Sequence, residues 1–181
     1  KNLNVNNIYC FEPHFLFIEK LKKLKKKFQN IKIFNYGIST KNENIIVYIP
    51  KIIFFGKILY LYTYTFYNLK ELKKQIRLDF LNYKKILIEK ITLKLKKFRS
   101  INKNIHLIKI DVNGYEYEIV KCLEKQINKN LPLMVIENNK KIKKISKLLS
   151  KYGYKKYYNN NGRLERYTNQ KVLDIFFIVK K

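Results

Sequence analysis

Residues 107–116 read Leu107-Ile108-Lys109-Ile110-Asp111-Val112-Asn113-Gly114-Tyr115-Glu116, an apolar run closed by an acid and followed by a glycine turn. An apolar run from Ile105 that ends on an acid reads as a strand over Ile105 to Asp111. Behind it, Ile119, Val120, Leu123 and Ile127 recur at helical spacing, which predicts a helix over Tyr115 to Ile127. The alternation then repeats. Leu133 to Glu137 reads as a strand, and Ile142, Ile145, Leu148 and Leu149 give the inward face of a second helix, with Gly153 placed as its C-terminal cap. The tail gives two β signals, Tyr154 to Tyr158 and Val172 to Val179. Between them lie the turn formers Asn159, Asn160, Asn161 and Gly162.

Working outward toward the N-terminus, Val5 to Glu12 reads as a strand. Phe15, Ile18, Leu21, Leu24 and Phe28 follow at helical spacing behind Pro13, a residue suited to a first helical turn. Ile31 to Asn35 is a further strand, leading through Tyr36, Gly37 and Ser39 to Ile45 to Ile49, where Pro50 is expected to stop the run. Ile52 to Tyr67, with its Tyr62-Thr63-Tyr64-Thr65 core, reads either as strand or as an irregular insertion, and its aromatics are assigned to packing. Leu69, Leu72, Ile76 and Phe80 predict a helix before a β-rich segment at Ile86 to Leu93. Strands alternating with helices imply an α/β, Rossmann-like, doubly wound and mostly parallel sheet closed by a C-terminal antiparallel hairpin.

The length, 181 residues and 22.1 kDa, suits a single domain. Hydrophobic residues at 46% exclude intrinsic disorder in spite of a net charge of +27. No apolar run approaches the roughly 20 residues that cross a bilayer, so no membrane span is expected. The charge is almost all lysine, 36 Lys against 4 Arg. Phosphate and base-edge recognition favours the forked guanidinium, so a nucleic-acid partner is not indicated. Lys, Asn, Ile, Tyr and Phe make up 110 residues and Ala is absent. All five have A/T-rich codons, so coding bias accounts for the excess, and lysines such as Lys22, Lys23 and Lys140 to Lys144 are assigned to solvated helix faces. Cys10 and Cys122 form no CxxC pair, which argues against a disulfide framework and for a reducing, cytoplasmic setting. His14 and His106 lack metal-ligand spacing, so no metal is assigned to them.

With only 13 acids in the chain, Glu12, Asp111 and Glu137 each fall at the carboxyl end of an expected strand. In open parallel sheets the ligand crevice lies there, so the three are expected along one edge. A lone acid at a helix start would be read as a cap or a dipole partner, worth roughly 0.3–1 kcal/mol. A carboxylate in the position of Glu12 can accept from both hydroxyls of a ribose, which indicates an adenosine-type ligand.

Four segments narrow this: Ile8-Tyr9-Cys10-Phe11-Glu12-Pro13, Asn35-Tyr36-Gly37-Ile38-Ser39, the 107–116 stretch, and Pro132 to Glu137. In order and spacing they resemble the FkbM family of S-adenosylmethionine-dependent methyltransferases over nearly the whole chain. The resemblance implies the class I methyltransferase fold and S-adenosylmethionine as cofactor. Glu12, with Pro13 beside it, would be the ribose-binding acid, and Gly37, Ile38 and Ser39 would flank the adenine side. Asp111 and Glu116 would lie in the signature segment near the methyl donor. Asn113 and Glu137 would face the substrate, a hydroxyl of a sugar, glycan or other small metabolite. Two departures stand out: Asn113 where the family usually has Glu, which removes a charge, and Lys94 where an Asp is typical.

The segment Lys1-Asn2-Leu3-Asn4-Val5 has neither an initiator Met nor a signal-peptide layout. Nothing before Val5 supplies the first strand and glycine-rich turn of such a fold, so the domain is expected to start at about the family's second strand. Burying about five apolar side chains on the absent strand would contribute on the order of 10 kcal/mol, comparable with a domain's whole net stability. An N-terminal piece of the natural protein is therefore expected beyond this sequence. The reading as a hydroxyl methyltransferase takes Asp111 or Glu116 as the general base. Its alternative is a non-catalytic remnant that binds RNA or an anionic surface. A nicotinamide-dependent oxidoreductase shares Glu12 but does not predict the 111–116 segment.

Overall fold

The computed structural model describes residues 5–80 and 85–179; the reading of Lys1 to Asn4 lies outside them. The chain forms two compact units, Lys1–Lys97 and Phe98–Lys181.

In the first unit β1 (Ile8–Phe11) pairs in parallel with β2 (Ile31–Phe34), and α1 (Phe15–Lys27) connects them. Pro13, expected in the first turn of α1, lies just before the helix: the N-cap is His14, whose imidazole accepts from the Leu16 amide at 3.3 Å. Lys25, Lys26 and Lys27 occupy the last turn, where cations suit the helix dipole. A second sheet has the order β3-β6-β4-β5, built from β3 (Gly37–Ser39), β4 (Glu43–Phe54), β5 (Lys57–Tyr60) and β6 (Leu87–Lys97). Alternation along β4 and β6 buries Val47, Ile49, Leu93 and Leu95.

Pro50 does not stop β4, contrary to the sequence expectation. Its carbonyl accepts from the Leu61 amide at 2.8 Å, and its missing N–H falls just past the Lys51–Tyr60 pair where β5 ends. The 52–67 segment resolves into the β4–β5 hairpin and a 3₁₀ turn at Tyr62–Tyr64. Then α2 (Leu69–Asp79) is capped by Asn68, which accepts from the Lys70 and Glu71 amides, and buries Leu72 and Ile76.

The second unit is a five-stranded sheet in the order β10-β9-β11-β8-β7. Its strands are β7 (Leu107–Ile110), β8 (Leu133–Glu137), β9 (Tyr154–Asn160), β10 (Arg163–Arg166) and β11 (Asp174–Val179). β7 and β8 are parallel, and Met134, Ile136, Ile175 and Phe177 form the inner layer. The helix expected over Tyr115 to Ile127 is two helices, α3 (Glu116–Cys122) and α4 (Glu124–Asn130), divided at Leu123, which takes φ −89° and ψ 0° while the apolar period runs on through it. α5 (Ile142–Ser150) matches its expected inward face. The expected closing hairpin gains a strand: Asn161 and Gly162, both at positive φ, turn β9 into β10, while β11 pairs β9 on its other side.

The architecture is mixed α/β. Parallel pairing holds for β1–β2, β3–β6 and β7–β8, and antiparallel pairs predominate among the described residues because the hairpin and the tail add strands joined by short turns. No helix among them is long and apolar enough to cross a membrane.

Candidate functional site

Glu12 follows β1 directly, and its amide donates to the Phe34 carbonyl at 3.0 Å, so the strand pairing itself fixes where the side chain begins. One carboxylate oxygen accepts from the His14 amide at 2.8 Å. Part of the capping role open to any acid at a helix start is thus present, and it orients the carboxyl at the α1 N-terminus. Burial pushes the Glu12 carboxyl up, and the His14 N–H opposes the rise. The same burial raises the Cys10 thiol.

Gly37 explains how the second expected segment meets the first. A Cβ at Gly37 would overlap the end of the buried Leu95 side chain and touch the Pro13 ring at 3.4 Å, so glycine lets β3 lie on β6 beside the Glu12-Pro13 turn without displacing Leu95. Ile38 is half-buried beside it, and Ser39 is buried with its hydroxyl donating to Glu43 at 2.5 Å. Lys41 lies 3.3 Å from the same carboxylate. Glu43 was not singled out in the sequence, because an acid at the start of a strand carries no signal of its own. Lys94 is exposed on β6 opposite Asn44.

In the second unit the carboxyl ends of the parallel strands β7 and β8 gather the remaining acids. Asp111 is exposed and sits 3.4 Å from the Lys109 ammonium, which also contacts Asp174 at 2.5 Å. Asn113 and Gly114 both take positive φ, 51° and 97°, in the loop to α3. Asparagine tolerates that region, which gives the residue at 113 a local reason.

Glu116 is fully buried. One of its oxygens accepts from the amides of Val112 (3.2 Å) and Gly114 (2.9 Å), and the other accepts from the Asn139 side chain. Asn139 in turn accepts from the Lys141 amide at 2.8 Å. Glu116 therefore ties the loop after β7 to the loop after β8, and Asn139 is the partner that the sequence did not reveal, since one of several asparagines gives no pattern.

Glu137, at the end of β8, has its carboxyl pushed up to about 7, first by burial and then by the charges of Asp111 and Glu116 and a hydrogen bond to Glu116; Lys109 opposes the rise. A native carboxyl that holds its proton above the usual range binds more protons than the unfolded chain over that interval. Stability from this group is full at acid pH and is lost as pH climbs through about 7. The expected outcome is that Glu137→Gln raises Tm at pH 8 and leaves it unchanged at pH 4, where both side chains are neutral. Because the group is partly exposed, solvent screening reduces the gain to about 1 kcal/mol, or roughly 4–8 °C. Thermal scans at the two pH values check it.

In the second unit, acids at adjacent parallel strand ends suit proton transfer, and in the first unit a carboxylate at a helix start suits a vicinal diol. Comparison with known proteins agrees in kind. The family model described as Methyltransferase FkbM domain matches residues 5–156. No curated protein matches. The crystal structure of Methyltransferase FkbM from Methylobacillus flagellatus KT is similar in fold, with a TM-score of 0.56 at 10% identity over 95% of this chain. The chain spans 36% of that protein's length. With the family match covering most of its residues, the chain belongs to the FkbM methyltransferase domain family.

Proposed function

We propose that the chain is part of an S-adenosylmethionine-dependent methyltransferase acting on a hydroxyl of a sugar or other small metabolite. We propose also that its sheet is of the doubly wound Rossmann-like type, with β1 corresponding to the family's second strand. The observation that supports the activity best is the acid pair Asp111 and Glu137 at adjacent parallel strand ends, one of them holding a proton near neutrality.

The residues present fit the cofactor. Glu12, held at the start of α1 by the His14 amide, offers two oxygens to a vicinal diol. When bound, S-adenosylmethionine supplies a methyl group already made electrophilic by its sulfonium. The chain's own part is alignment, exclusion of water and handling of one proton. Glu12 accepts from the ribose hydroxyls, with Ile38 and Ser39 on the adenine side. Asp111 and Asn113 orient the acceptor hydroxyl. Of the residues expected to act as base, Glu116 has both oxygens committed to the loops, so it positions the others. Glu137, whose affinity for a proton lies near 7, takes the hydroxyl proton.

The test is transfer of labelled methyl from S-adenosylmethionine to sugar hydroxyls as a function of pH. The rate is expected to rise through about pH 7 as Glu137 ionises, and Glu137→Gln to abolish that inflection with a loss of roughly 10²-fold or more. A pH profile identical in the two proteins would contradict the role given to Glu137.

A further inference from the structure

The β4–β5 hairpin leaves its end uncovered. Phe55 is 88% exposed, Ile53 61%, Phe54 57% and Ile58 51%, with Leu59 also exposed. The register places Ile53 and Ile58 on one face and Phe54 and Leu59 on the other, with Phe55 at the tip. An apolar segment of this kind on a charged protein marks a contact surface, and its two-faced form says more. A partner surface covers one face of a hairpin; apolar groups on both faces and at the tip need a medium that surrounds them.

Phe55 and Gly56 make a two-residue turn with φ of 46° and 72°, the form that favours Asn-Gly. A bulky aromatic is unusual in the left-handed region, where this turn type favours Asn, so Phe55 is a costly residue for closing a hairpin.

Lysines frame the apolar end. Lys57 begins β5 beside Phe54, and Lys51 closes the far end of the ladder, where it pairs with Glu89 at 2.6 Å. The same unit presents Lys70, Lys73, Lys74 and Arg77 along one face of α2. With a net charge of +27, two copies of this chain repel, whereas an anionic bilayer attracts it, whatever the codon-level origin of the lysines.

We propose that the 52–59 hairpin tip inserts into the interfacial layer of an anionic lipid bilayer. The insertion is shallow. Among the described residues the outer edge of β4 has no β6 partner beyond Lys51, and β5 is an edge strand, so backbone groups without a ladder keep the tip out of the hydrocarbon centre and leave it among headgroups and upper acyl chains. Phe54, Phe55 and Ile53 enter, while Lys57 beside Phe54 meets lipid phosphates and the net positive charge adds long-range attraction. This surface is independent of the methyl-transfer reading.

The experiment is vesicle co-sedimentation of the full chain with equal parts phosphatidylcholine and phosphatidylglycerol, against phosphatidylcholine alone. Binding is expected to need the anionic lipid and to fall roughly tenfold or more in the double variant Phe54→Ser, Phe55→Ser, with an unchanged thermal melt because both rings are exposed. The sequence has no Trp, so Phe55→Trp installs a single indole. Its emission should shift to the blue on anionic vesicles and be quenched by brominated acyl chains. Equal binding by the serine variant, or an indole that stays in water, would mean charge-driven adsorption and overturn the proposal. So would dimers that depend on Phe55 and ignore lipid, since the tip would then be a contact between copies.

Discussion

Glu116→Ala is expected to lower the Tm of the Phe98–Lys181 unit by more than about 10 °C. The side chain is fully buried and accepts from the Val112 and Gly114 amides and from Asn139. Deleting it orphans three donors at once, each worth roughly 1–3 kcal/mol when left unpaired away from water, and removes the tie between the loops after β7 and β8. About 3–5 kcal/mol is a large share of the roughly 5–15 kcal/mol that holds a domain together. Glu116→Gln preserves the shape but places an amide against the Asn139 amide, so donor would face donor at one of the three contacts. It should fall between the wild type and the alanine variant. Thermal melts of the three proteins at one pH read the series, and an alanine variant as stable as the wild type would show that the clasp does not hold the loops.

That clasp also marks where sequence reading stopped. The strand ends carrying Glu12, Asp111 and Glu137 were legible because apolar runs end on an acid, and the parallel β7–β8 pair does bring Asp111 and Glu137 together. The burial of Glu116 was not legible. By resemblance Glu116 was expected near the methyl donor as a candidate base, and only its distant partner Asn139 shows it to be a buried acceptor. Periodicity placed the apolar face of residues 119–127 correctly but could not see the break at Leu123, which keeps the same face inward. Pro50 misled for a similar reason: whether a proline ends a strand depends on whether its missing N–H faces a partner, and that is a property of register. The aromatic 52–67 stretch was assigned to packing. Tyr60, Tyr62 and Tyr64 are half-buried as that assignment requires, whereas Ile53, Phe54 and Phe55 are exposed because β4 and β5 run beyond β6.

Gly37 is the reverse case, a residue whose part was named by resemblance and whose physical reason lies in packing. Its missing side chain is what allows β3 to lie against Pro13 and Leu95. The adenine-side role proposed for Ile38 and Ser39 thus starts from a close backbone approach next to the Glu12 turn.

Calorimetric titration of the wild type and Glu12→Gln with S-adenosylmethionine reads the proposed grip of Glu12 on the ribose. Glutamine can still accept from the His14 amide, so the α1 start is kept, but it cannot offer acceptors to both ribose hydroxyls. Losing one charge-assisted hydrogen bond of about 1.5–3 kcal/mol predicts an affinity lower by roughly 10- to 100-fold, with the melt little changed. Equal affinity in the two proteins would contradict the assignment.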